Sequence, residues 1–444
     1  MKQLVHYEAA INSRTAGERL RAAKALGEAI ADGSIERVVS EEVNNHVHTT
    51  YSFSPYEPAA AAWAALKAGL GIVGSIDHDS IAAANEMLEA GKLLGIATTV
   101  GFEVRVSFLD TPLGDRKINN PDSEGIVYMC IHGVPKQKIA EVAAFLKPVV
   151  EVRNERNRAQ VAALMTLVGE YGFDLDFDRD VLPLSRYSDG GSVTERHILY
   201  AMAEETIKMY GKGERLIAFL TETLEIPLAG TILKRLSDPK NPHYVYDLLG
   251  LYKGNFLDRF FIQPTKEECL DVYEVVAFAN SIGAIPAYAY LGDVAESPTG
   301  DKKAEQFEDA FLDQLLDLLV EIGFKAVTYM PPRNTGEQMA RLQRLAQERG
   351  LMEISGVDIN SSRQSMNCPE LLSAEARHLV DAAWALVAHE KLSAHGLEYG
   401  LFSSENPLAT LALAGRIARY AAIGRALDPT GEGEALSLWE KEDL

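Results

Sequence analysis

From residue 43 onward, short apolar runs alternate with Ala-, Leu- and Glu-rich stretches, and that rhythm limits the fold more than any other feature of the chain. The runs are Val43–His48, Ile72–Ile76, Ala97–Val106, Ile126–Ile131, Gly283–Ala289, Lys325–Tyr329 and Met352–Val357. Between several of them lie Pro58–Ala68, Ala82–Leu94 and Gly336–Arg349, whose residues favour helix. Such alternation predicts parallel strands joined by crossover helices, hence an α/β architecture. Seven strands suffice to close a barrel. The rhythm breaks between about 135 and 265, where helical sequence carries loop signals at Tyr187–Ser192 and Ser237–His243. An insertion there, after the fourth strand, is expected to cover one barrel face. Residues 1–42 place Leu20, Ala23, Leu26 and Ile30 at helical spacing, with Gly33 as a stop. The tail from about 370 is again helical, in Ala374–Ala388 and Pro407–Arg425. The expected organisation is a helical N-terminal extension (1–42), a first barrel part (43–134), a mainly helical insertion (135–265), a second barrel part (266–365) and a helical C-terminal extension (366–444).

Charge narrows the partners. Against 43 Lys and Arg stand 64 Asp and Glu, a formal net charge of −21. A field of that sign repels nucleic-acid duplexes and anionic membranes, while a bound cation or an Arg cluster can still invert it locally for a small phosphorylated substrate. No run approaches ~20 apolar residues, and the first residues lack the apolar stretch of an export signal. Cys130, Cys269 and Cys368 are far apart with no CxxC pair, as for reduced thiols. A cytoplasmic location is therefore expected.

Two motif matches fail on context. Gly69, Gly71 and Gly74 have the spacing of a dinucleotide-binding turn, but that turn follows a strand and opens a helix, whereas here a helix precedes and a strand follows. Gly69 reads instead as a helix C′ cap. His389-Glu390 would need a second His at 393 for a zinc-protease helix, and position 393 is Ser. The ends of the expected strands carry a stronger signal. The first ends with His46 and His48, two apart and so on one face of a strand. The second ends Asp77, His78, Asp79, the third carries Glu103, the fourth ends at His132, and the last leads into Asp358. Active sites of β/α barrels lie at the C-terminal ends of their strands. Imidazole and carboxylate donors together suit Zn, Mn or Fe.

At these residues the sequence resembles the PHP family, named for domains of bacterial DNA polymerases and histidinol phosphatases. His46-Val-His48-Thr-Thr-Tyr-Ser resembles its first motif and Ile76-Asp77-His78-Asp79 its second. Gly101-Phe-Glu103 and Ile131-His132-Gly133 resemble the third and fourth. Pro264–Ala289 resembles the helix and strand that usually end Ala-His-Pro, and Leu345–Asn360 the closing Gly-Ser-Asp-Phe-His segment. Within the insertion, Arg153–Arg158 and Ser192–His197 resemble the branch that cleaves nucleotide monophosphates.

The resemblance implies a distorted seven-stranded barrel of PHP type that binds up to three metals and hydrolyses phosphate esters. By position, the first metal takes His46, His48, Glu103 and Asp358. The second takes Glu103, His132 and the residue at 288, which is Tyr288. The third needs an acid and two histidines where this chain has Phe53, His78 and Asn360. One or two divalent ions (Zn, Mn or Fe) are thus expected in a depleted centre. His78 would serve as general acid with Asp77 or Asp79 orienting it, and Arg196, His197 and the Arg153, Arg156 and Arg158 cluster would hold the phosphate. Two other readings stay open: an inactive barrel that binds a metal or ligand, and an amidohydrolase-like metal hydrolase.

Overall fold

The computed structural model describes residues 2–294, 306–430 and 434–441. Among the described residues, seven strands form one curved sheet in chain order: β1 (Val43–Val47), β2 (Ile72–His78), β3 (Ala97–Ser107), β4 (Ile126–His132), β5 (Ile285–Ala289), β6 (Ala326–Tyr329) and β7 (Met352–Ser355). The sheet nearly closes into a barrel. Beyond β7, Ile359 pairs with Val47, its N–H donating to the His46 carbonyl at 3.1 Å and its carbonyl accepting from His48 N–H at 2.9 Å. Lower in the gap between β1 and β7, side chains replace the ladder. Asn44 Nδ2 donates to the Val357 carbonyl and Asn45 Nδ2 to the Ser355 carbonyl. These amides satisfy backbone groups that no strand reaches.

One expectation needs correction. The strands are not all parallel, because β4 runs antiparallel to both β3 and β5. No crossover helix separates β3 from β4. Residues 108–125 return the chain as a long loop, closed where Phe108 N–H donates to the Gly125 carbonyl. A connection without a crossover joins antiparallel neighbours. Asn119 secures the turn, exchanging two hydrogen bonds with the Tyr128 backbone and reaching the Ala289 carbonyl. As a result β4 ends at the opposite end of the sheet from the other six strands. The mouth lies at the C-terminal ends of those six.

The helix Pro58–Lys67 ends as its sequence suggests. Gly69 has φ +87°, and Leu70 N–H reaches back to the Ala65 carbonyl, a left-handed helix stop. The insertion leaves the floor after β4 along a 30-residue helix, Ile139–Val168, which climbs past the mouth. Its helices enclose an apolar cluster of their own, including Leu164, Phe177, Leu199, Leu248 and Tyr252, and Phe53 from the loop after β1 packs into it.

The C-terminal segment is part of the barrel's core. The helix Arg377–Ser393 places Ala382, Ala385, Leu386 and Ala388 against Ile285, Ala287, Ala326, Met352 and Ile354, on the concave face of β5–β7. Small residues on both sides permit the close approach. At the floor His389 accepts from Leu401 N–H through Nδ1 and faces the Gly133 carbonyl through Nε2. Glu390 accepts from Val100 N–H, a strand group that lies beyond the end of β4. No described helix is long and apolar enough to cross a membrane.

Glu390 makes a stability prediction. Burial raises its carboxyl well above the usual range, with Val100 N–H and Lys391 opposing too weakly to restore it. The unfolded chain ionises this group at its ordinary pKa, whereas the fold retains the proton. Its contribution is therefore fully present below the unfolded pKa and is lost as pH rises through the folded one. Glu390→Gln keeps an acceptor for Val100 and removes the ionisation. Thermal melts should show the variant melting above wild type at pH 8, with the gap closing towards pH 4.

Candidate metal centre

Alternation along the strands decides which side chains meet. Glu103 in β3 is registered with His78 in β2 and with Cys130 in β4, so all three share the concave face. His46 and His48 join them from β1, and Asp358 from the segment after β7. His46 Nε2 and His48 Nε2 stand 3.2 Å apart, and each is 3.6 Å from Glu103 Oε2. Asp358 Oδ1 is 3.2 Å from His48 Nε2, and His78 Nδ1 is 3.2 Å from Glu103 Oε2.

These distances fit a cation. Donors roughly 2.0–2.1 Å from one ion at tetrahedral angles stand about 3.3 Å apart. Two imidazole Nε2 atoms facing each other also want something positive between them, since two lone pairs in contact repel. Electrostatics agree. Burial pushes the Glu103 carboxyl up, but His78, His46 and His48 outweigh it and bring it down to about 2. Burial also opposes an ionised Asp358, yet His48, His46 and Arg196 lower its pKa. For His46, burial disfavours the imidazolium, while Cys130 and Glu103 overcome it and raise the pKa. A proton on His46 thus sits in the same electrostatic well that would attract a cation.

The other expected site residues lie elsewhere. His132 is on the concave face, but at the floor: β4 runs downward, so His132 is registered with Ile285 at the start of β5. It belongs to none of the donor groups that could share an ion among the described residues. Its Nε2 is buried without a hydrogen-bond partner, and burial together with His46 lowers its pKa to about 3. Tyr288 is registered with Met129, one position out of phase with Cys130, and so faces the outer helices. Its hydroxyl donates to Glu308 at 2.9 Å, which takes it out of the centre. Asp77 is likewise out of phase with His78. It accepts from Thr49 N–H and from the Thr49 and Ser52 hydroxyls, bracing the loop after β1 rather than orienting His78. Phe53 packs edge-on to His197 within the insertion's apolar cluster, where an acid would be buried without a partner.

The arginines divide into two groups. Arg153 and Arg156 are buried, neither solvated nor open to a substrate. With Arg105 they pair with Asp79, Glu195 and Glu268 in a network of three cations and three anions over the mouth. Asp79 takes its place there with φ +51°, a left-handed conformation that Asp tolerates better than most residues. Arg158 lies outside, paired with Glu155 and Asp178. Arg196 is half-buried and donates to Asn360 Oδ1 at 2.6 Å, while Asn360 Nδ2 donates to Asp358 Oδ1 at 2.8 Å. His197 closes the start of the helix Glu195–Tyr210, its Nδ1 accepting from Thr194 N–H. That is a structural duty.

Two features escaped the sequence reading. Cys130 lies within 3.8 Å of His46 Nδ1, and its signal was the period of two that also places His132 inward. Arg105 was a visible charge in an apolar run, but its partners Glu195 and Glu268 are 90 and more residues away and nothing local announces them.

Fold and site together define a mixed α/β barrel with a cluster of imidazoles and carboxylates that can hold a metal. Among solved structures the chain is similar to a candidate metal-dependent phosphoesterase from Bifidobacterium adolescentis, at 18% identity and TM-score 0.47, covering 74% of this chain and 94% of that one. It is also similar to an amidohydrolase from Chromobacterium violaceum with bound sulfate and no metal, at 16% identity and TM-score 0.47, covering 74% and 90%. No protein-family model matches the sequence, and no curated protein does. Likenesses this distant assign no activity.

Proposed function

We propose that this chain is a metal-dependent phosphoesterase of PHP type with a reduced metal complement. The observation that carries the proposal is the convergence of His46, His48, Glu103 and Asp358 at the spacing of one coordination shell. A divalent cation on those four donors would polarise a phosphate-ester oxygen and acidify a water.

The chain's own groups account for the rest of the chemistry. Glu103 touches three imidazoles at once and orders them. His78 is the most solvent-open imidazole of the cluster, its side chain 27% exposed. With Nδ1–H directed at Glu103, its Nε2 lone pair is left to accept a proton from an attacking water. Burial, aided by His48 and Arg153, lowers its pKa to about 3 against the pull of Glu103, so it rests neutral near pH 7. Arg105, Arg153 and Arg156 are committed to carboxylates. Arg196 is the arginine of the group placed to meet an anionic substrate, held beside Asp358 by Asn360. The departures at Phe53, Tyr288 and Asn360 each have a local role that is incompatible with, or separate from, binding a further ion, which supports one cation over several.

The test is elemental analysis of the purified protein, paired with chromogenic phosphate mono- and diesters and added Mn or Zn. About one equivalent of transition metal is expected, with hydrolysis that a chelator removes and metal restores. Protein that holds no metal and cleaves no ester under any of these conditions would overturn the proposal.

A further inference from the structure

The phosphoesterase reading gives no part to Tyr128, although its place in the fold brings it to the mouth. It lies in β4 opposite Arg105 and two residues before Cys130, so its side chain shares the concave face with Glu103 and Cys130. Because β4 runs from mouth to floor, Tyr128 stands above Cys130. Its ring centroid is 6.0 Å from that of His78. The residue is half-buried, and its hydroxyl makes no hydrogen bond among the described residues. A phenol packed into protein normally finds a partner for its O–H. The charged groups around it are already taken. Arg105 and Arg156 are held by Glu195 and Glu268, and Arg153 by Asp79 and Glu195.

We propose that the Tyr128 hydroxyl binds substrate, donating a hydrogen bond to a non-bridging phosphoryl oxygen of an ester at this centre. The inference rests on the phosphoesterase reading. His78 Nε2, carrying a lone pair, has nothing to donate to that oxygen, whereas the phenol beside it does. Burial raises the Tyr128 pKa, with Glu195 and Asp122 adding to it and Arg105 and Arg153 opposing, so the hydroxyl keeps its proton and stays a donor. A neutral donor also suits a place where three cations and three anions cancel, since it adds no charge. Arg196 reaches the centre from the side of Asp358, and Tyr128 from the side of β4. No proton leaves Tyr128. Its hydrogen bond strengthens as negative charge builds on the phosphoryl oxygens.

Tyr128→Phe keeps the ring and removes the donor. For whichever chromogenic phosphate ester wild type cleaves, the variant should hold as much metal as wild type while kcat/KM falls by about 10². Orthovanadate imitates the five-coordinate phosphoryl group, so calorimetry should show its binding weakened by a larger factor than that of orthophosphate. Turnover within about twofold of wild type, or unchanged affinity for both anions, overturns the role of Tyr128 and leaves the phosphoesterase reading standing. A variant that loses its metal as well shows a structural part for Tyr128 and also overturns the proposal. Wild type that cleaves none of the esters overturns the phosphoesterase reading and this proposal with it.

Discussion

Glu103→Ala should lose the metal and the activity together. Glu103 Oε2 is the shared vertex of the cluster, 3.6 Å from the Nε2 atoms of both His46 and His48 and 3.2 Å from His78 Nδ1. Removing it takes away an anion that three imidazoles surround, leaving two imidazoles and one carboxylate to hold a cation. Metal content should fall from about one equivalent to below ~0.1, and kcat/KM for any phosphate ester by at least ~10³. Elemental analysis and steady-state kinetics on the same preparation check both numbers. Glu103→Gln, which preserves shape, should behave almost as badly, because the charge is what the site needs. Retention of full metal content by either variant would show that the ion sits elsewhere.

The second large effect concerns folding. Glu268 is 2% exposed and accepts from Arg156 Nε at 2.6 Å and Nη2 at 2.8 Å, and from Arg105. Arg105 is buried, and although burial opposes its charge, Glu268 and Glu195 hold it firmly cationic. Glu268→Ala leaves two guanidiniums in a buried network with two anions for three cations. Breaking such a pair costs about 3–5 kcal/mol. The melting temperature should drop by about 3–5 °C, read by calorimetry. An unchanged melt would mean that this network does not hold the insertion to the barrel mouth. The Arg105–Glu268 and Arg156–Glu268 pairs join a strand, the long helix and the segment after the insertion, so limited proteolysis should also begin within residues 170–260.

The legibility of the centre varied residue by residue, for physical reasons. His46 and His48 were readable because two residues apart on a strand means one face. Glu103, His78 and Asp358 were readable because strand ends on one side of a barrel converge. His132 was misplaced by the same logic, since it assumed a direction for β4, and Tyr288, which entered only through the family resemblance, by a phase for β5. A strand reversed end for end moves its last residue from mouth to floor, and a shift of one residue moves a side chain through the sheet. Neither error is visible in hydrophobic pattern, which is the same read in both directions and constrains phase weakly in a strand buried on both faces, as the uniformly buried β3 is.

What the sequence determined alone was local: the positions of seven strands, the helical insertion and tail, the cap at Gly69, and the residue types from which a metal centre could be assembled. Those follow from periodicity and short-range sterics, which act over a few residues. Only the tertiary structure decided that β4 runs backwards, that the C-terminal helix fills the concave face, that three arginines are neutralised by three acids, and that a cysteine stands by His46. Each of these depends on partners tens to hundreds of residues apart, brought together by burial of apolar surface and by the need to pair every buried charge.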